Sequence, residues 1–275
     1  MQKALALTLG FMLCATGCAR PASGGSDERA VVEMTSAAHP AASSASAASP
    51  PRSAGVSTPA ASSAPPVTPV GPATVESIPV AGDVAASIVR AADGSRPRVV
   101  FLPGVCSNAN AYLQMFPEAA RAAGGAIAIE GEIPCPGAPG FHSITSDPVL
   151  QGKRIDAALA AAGYPVEGEL TVVGYSRGAT LAEKLVAKWP DRFVRVVLIG
   201  SPKAPNADLI KTARAAVTMS CQLDVPALMK AGAKRINDRG VPAIYLEMPR
   251  CTHGNITEGD RVFGEAFAFL DRPAP

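Results

Sequence analysis

LTVVGYSRGATLAEKLVAKWP, residues 170–190, is the stretch on which the reading of the fold rests. LTVV is a short apolar run of the kind a strand buried on both faces shows. Behind it comes Gly174-Tyr175-Ser176-Arg177-Gly178, and behind that a helical segment, ATLAEKLVAKW, closed by Pro190. A serine on so sharp a strand-to-helix turn projects its hydroxyl from the carboxyl edge of a sheet. The backbone there is strained, and the neighbouring chain comes so close that glycine is required at 174 and 178. The pentapeptide alone is a common pattern of small residues, equally readable as a glycine-rich turn with a capping serine. The strand before it and the helix after it give it meaning.

Outward from that turn, apolar runs alternate with helical patterns. Residues 75–80 and 84–91 predict two short strands with Gly82-Asp83 as the turn between them. Residues 98–102 form a compact apolar run ending at Pro103-Gly104, and Asn108 or Asn110 caps a helix running to about 123, stopped by Gly124-Gly125. A strand at 126–130, a helix at 148–162, strands at 194–199 and 213–219, a helix at 226–238, a strand at 243–248 and a helix at 258–270 complete the series. Strands alternating with single helices imply right-handed crossovers and a mainly parallel sheet covered by helices on both faces, an α/β fold.

The first quarter of the chain reads differently. Lys3 and the apolar run 4–13, followed by small residues, predict an export signal over 1–18, too short to span a bilayer as a lasting helix. Ala15-Thr16-Gly17-Cys18 resembles the bacterial lipoprotein cleavage box, with Ala15 where leucine is usual. The resemblance implies lipidation at Cys18 and anchoring to a membrane of the cell envelope. Ala19, in place of aspartate, implies the outer membrane under the enteric sorting rule. Residues 19–72 are dominated by Ala, Ser and Pro and offer almost no large apolar side chains to offset the entropy of ordering, so they are expected to form a disordered tether. The folded domain is expected over 73–275. The formal net charge of +2, with no basic stripe, provides no footprint for nucleic acid.

Gly174–Gly178 has the form of a nucleophile elbow, Ser176 being the nucleophile. The N–H of Arg177, at the start of the helix, would be aimed at a developing oxyanion. A serine hydroxyl needs a base, and the chain has three histidines: His39 in the tether, His142 before the elbow and His253 in the loop after strand 243–248. An acid must orient that base. Asp224 follows the strand at 213–219, and Asp208 and Asp238 are the alternatives; the segment Gly200–Lys203 after strand 194–199 has no carboxylate.

Together with WPDRFVRVVLIGSP, LEMPRCTHG and FLPGV, these residues resemble the α/β-hydrolase family over nearly all of 75–271. The family order of nucleophile, acid and histidine implies Ser176, Asp224 and His253. By the same resemblance FLPGV is the first oxyanion loop, with Pro103 where a histidine is common. Val105 would then donate beside Arg177, a shift to Cys106 being the alternative. Only about a dozen residues separate strand 194–199 from the next, which implies little or no cap. Phe141, His142, Tyr112 and Tyr175 could line the site or simply pack. The implied activity is cleavage of a small-molecule or lipid carboxylic ester through an acyl-enzyme, without metal or organic cofactor. A peptidase or acyltransferase on the same triad, or a catalytically silent binding lipoprotein, is the alternative.

Of the six cysteines, Cys14 leaves with the signal and Cys18 is assigned to lipid. Cys106, Cys135, Cys221 and Cys251 form an even set in an exported domain, open to three connectivities or to four free thiols. In this fold, strands ending side by side favour Cys106–Cys135 and Cys221–Cys251.

Overall fold

The computed structural model describes residues 71–273. The signal, Cys18 and nearly all of the tether therefore lie outside the described residues. The strands are β1 (Glu76–Ile78), β2 (Ala86–Val89), β3 (Val99–Leu102), β4 (Ala126–Ala128), β5 (Ile133–Pro134), β6 (His142–Ser143), β7 (Leu170–Tyr175), β8 (Phe193–Ile199), β9 (Ala215–Cys221) and β10 (Ala243–Met248). The helices are α1 (Ala109–Leu113), α2 (Pro117–Ala122), α3 (Pro148–Ala161), α4 (Arg177–Lys188), α5 (Pro226–Asn237) and α6 (Gly259–Leu270).

Eight strands form one sheet in the order β1-β2-β4-β3-β7-β8-β9-β10. The hairpin β1–β2 and its pairing to β4 are antiparallel; every pairing from β4 to β10 is parallel. Side chains alternate between the faces, as a strand's period of two requires. Val100, Leu102, Val172, Val196 and Leu198 join one core with residues of α3, α4 and α5. Phe101, Val173, Tyr175, Val197 and Ile199 join the other with α1, α2 and α6. Burial on both faces is why these strands read as continuous apolar runs.

Three local features differ from the sequence expectation. The helix expected from Asn108 to about 123 is two helices. Asn108 caps α1, its side-chain oxygen accepting from the Ala111 N–H at 2.8 Å. Pro117, which has no N–H to donate and disfavours helical backbone at Phe116, then restarts the chain as α2. The strand expected at 213–219 runs from Ala215 to Cys221, two residues later, so Cys221 ends the strand in register with Met248. Between β4 and α3 lies a two-stranded ribbon, β5–β6, whose two-residue strands are too short for any periodicity to announce. Among the described residues there is no helix between β8 and β9.

Candidate active site

The parallel strands β3, β7, β9 and β10 deliver Gly104, Ser176, Asp224 and His253 to one carboxyl edge of the sheet, where open α/β sheets hold their sites. Ser176 sits between the last residue of β7 and the first of α4 at φ 55°, ψ −117°, a strained conformation for a residue with a side chain. Its N–H donates to the Ile199 carbonyl at 2.8 Å. Although it occupies the N-cap position, its hydroxyl makes no capping bond, which removes the reading of a simple capping serine.

The glycines explain how the turn is built. A Cβ on Gly174 would lie 2.2 Å from the Gly178 carbonyl oxygen, and one on Gly178 would lie 2.2 Å from that of Leu102. A Cβ on Gly104 would lie 2.9 Å from the Ser176 Cβ. Strand β3, the elbow and α4 are thus in backbone contact, which presents the Ser176 hydroxyl beside the β3–α1 loop.

That hydroxyl lies 3.0 Å from His253 Nε2, and His253 Nδ1 lies 2.8 Å from Asp224 Oδ2. With Nδ1–H donating to the carboxylate, Nε2 is left to accept from the serine. The Asp224 side chain is only 9% exposed, against 45% for His253, so the carboxylate is shielded while the imidazole reaches the surface. The other two carboxylates lie elsewhere: Asp208 pairs with Arg239 and Asp238 with Lys234, both on the surface.

Cys106 is bridged to Cys135 and Cys221 to Cys251. The second bridge ties the loop of Asp224 to the loop of His253, reinforced by the Leu223 N–H donating to the Cys251 carbonyl at 3.0 Å. The first ties the β3–α1 loop to the β5–β6 ribbon. The Cys106 N–H donates to Ser143 Oγ at 3.1 Å and is occupied. The N–H groups of Val105 and Arg177 have no acceptor among the described residues, which favours Val105 over Cys106 as the position of a free donor beside Ser176.

Three contributions escaped the sequence reading. Gly200, at φ 50°, leaves the space in which Asp224 and His253 meet: a Cβ there would lie 2.9 Å from Asp224 Oδ2 and 3.3 Å from His253 Nδ1. The Tyr175 hydroxyl accepts from the Gly254 N–H at 2.8 Å and the Tyr112 hydroxyl donates to the Gly254 carbonyl at 3.0 Å, so both aromatics brace the histidine loop as well as line the cleft. Burial pushes both phenols above their ordinary pKa, which keeps them neutral. Phe141 lines the cleft too. His142 does not: its backbone pairs with Ser107, a bond in each direction at 2.9 Å, and it is absent from the cleft wall. Of the two readings the sequence left open for His142, lining or packing, this geometry favours packing.

A scan against models of known protein families finds no match, and a search of curated protein sequences finds none either. Solved structures do match. An esterase from Pyrobaculum calidifontis superposes with a TM-score of 0.50 at 18% identity, covering 74% of this chain and 85% of that one. The fluorophosphonate-binding serine hydrolase F of Staphylococcus aureus superposes at 0.51 and 10% identity, covering 74% of this chain and all of that one. This is the α/β-hydrolase fold. A predicted CIB-like hydrolase from Thermoplasma acidophilum shares it at 0.51 and 15% identity, covering 72% and 97% of the two chains. Within the α/β-hydrolase fold the present chain is a lean example, with no helix inserted between β8 and β9 and two disulfides on the loops that carry the site.

Proposed function

We propose that this chain hydrolyses carboxylic esters through an acyl-enzyme formed on Ser176. The observation that carries the reading is the continuous relay from Ser176 Oγ through His253 to Asp224, at 3.0 and 2.8 Å, on a strained turn that opens into a cleft. Ser176 Oγ attacks the carbonyl carbon while its proton passes to His253 Nε2, and the carbonyl π electrons move onto oxygen. The N–H groups of Val105 and Arg177 receive that oxyanion; loss of one such donor typically costs about 10² to 10³ in rate. Collapse of the intermediate breaks the bond to the leaving oxygen, which takes the proton from Nε2. Water then repeats the sequence and frees the acid. Asp224 holds the imidazole tautomer and stabilises its cation.

Turnover of p-nitrophenyl esters of graded chain length, by the wild-type chain and by Ser176→Ala, tests this. The account expects saturable hydrolysis that the alanine variant loses while remaining folded. Equal turnover by both would reject it.

The lipoprotein resemblance of the first residues supports a second part of the proposal, that acylated Cys18 anchors the enzyme in the bacterial cell envelope. Wild-type protein is then expected with membranes and Cys18→Ser in the soluble fraction. Unlipidated wild-type protein in the periplasm would reject the anchor.

A further inference from the structure

Ser176 borders two cavities that differ in the charge of their walls. The cleft that contains His253 has a volume of about 330 Å³ and is walled by Tyr112, Met115, Phe141, Tyr175 and Ile256. A second recess, of about 640 Å³, lies along α4 and the segment that follows β8, and shares only Ser176 and Val105 with the first. Arg177, Lys184 and Lys203 line it. All three are exposed and make no ion pair among the described residues. The Lys184 ammonium donates to a neutral acceptor, the Ser146 carbonyl, at 3.0 Å. The one acid in the recess, Glu183, is buried and accepts from the Asn206 N–H at 2.8 Å. Burial pushes its carboxyl up to about 7, so at neutral pH it offsets only part of one cation.

The chemistry decides which half of an ester faces which cavity. The leaving oxygen must take its proton from His253 Nε2, so the alcohol lies on the side of the cleft that His253 lines. The acyl group is left with the direction that His253 does not line, into the cationic recess. Resting on the esterase reading above, we propose that the preferred substrates join an apolar alcohol to an acyl group that ends in an anion, a carboxylate being the simplest. A cationic recess open to one side of the nucleophile attracts such a group and orients the carbonyl before attack. Uncharged acyl chains gain neither effect.

The test compares p-nitrophenyl monoesters of succinate, glutarate, adipate and suberate with p-nitrophenyl esters of the monoacids of equal length. Leaving group and chain length are matched, and only the terminal carboxylate differs. The wild-type enzyme is expected to show higher kcat/KM for at least one diacid monoester than for its neutral partner. Lys184→Gln/Lys203→Gln is expected to lose about tenfold on that monoester while staying within about twofold on the neutral one. High salt is expected to erode the same preference in the wild type. Neutral esters turned over as fast or faster throughout the series would overturn the inference, as would a preference that survives the double variant. If no ester is hydrolysed and Ser176 resists acylation, the esterase reading itself falls, an outcome separate from hydrolysis without preference.

Discussion

Gly178→Ala separates the architecture described here from a simple helix. By helix propensity alone, alanine near the start of α4 should stabilise the chain by about 1 kcal/mol. The structure demands the opposite. The new Cβ would lie 2.2 Å from the Leu102 carbonyl oxygen and 2.6 Å from that of Pro103, whereas ordinary contact begins at 3.4 Å. Both obstacles are backbone, so β3 and the elbow must part by about 1 Å. Overpacking of this kind typically costs about 1 to 3 kcal/mol. It also moves Ser176 relative to Val105, two residues beyond Pro103, and a misplacement near 1 Å costs about 10² in rate. Gly264→Ala is the control: in α6, with nothing within 4 Å of the new Cβ, it should stabilise by about 0.5 to 1 kcal/mol and leave turnover unchanged. Denaturation midpoints and kcat/KM on one p-nitrophenyl ester measure both variants. A Gly178→Ala enzyme as stable and active as the wild type would refute the backbone contact at the elbow.

Asp224→Asn should bind substrate but lose turnover, by about 10⁴ if it follows the serine-protease precedent; Asp208→Asn and Asp238→Asn should be near normal, and the reverse pattern would move the acid elsewhere. Glu183 is only 5% exposed, and its carboxyl is raised from 4.5 to about 7, so the folded state holds the proton more tightly than the unfolded chain. That contribution is complete below about pH 4.5 and lost as pH rises through about 7, a difference of up to roughly 3 kcal/mol. Glu183→Gln keeps an acceptor for Asn206 and should flatten this decline in denaturation curves across that range, leaving the variant more stable than the wild type above neutrality; parallel curves would show that the raised pKa is wrong. Reductant should lower ester turnover before it unfolds the domain, because both bridges hold loops of the site, and loss of fold and activity in step would contradict that role.

What the sequence revealed was local. Strand, turn and helix around Ser176 are contiguous, and the glycine spacing announces the sharp turn, so the elbow and the parallel sheet behind it were legible. His253 and Asp224 follow strands whose apolar runs are also contiguous. Gly200 was not legible: the groups its missing side chain makes room for are Asp224 and His253, which only the sheet order brings beside it. The tyrosines read as lining because they are aromatic, but their bonds to Gly254 cross 79 residues from Tyr175 and 142 from Tyr112. For His142 the choice between lining and packing stayed open because strands of two residues carry no periodicity, so its pairing with Ser107 was invisible. Pro117 was a signal present in the chain, and the helix break it makes was readable from it.

The most direct measurement is labelling with a fluorophosphonate probe followed by peptide mapping. A phosphonyl group accepts a serine oxygen only where the hydroxyl is activated and an oxyanion site receives the charge, so the probe reads nucleophile, base and oxyanion donors at once. The account predicts one covalent adduct, on Ser176, abolished in Ser176→Ala and strongly slowed in His253→Ala. An unlabelled wild-type chain, or an adduct on another residue that persists in Ser176→Ala, would contradict it.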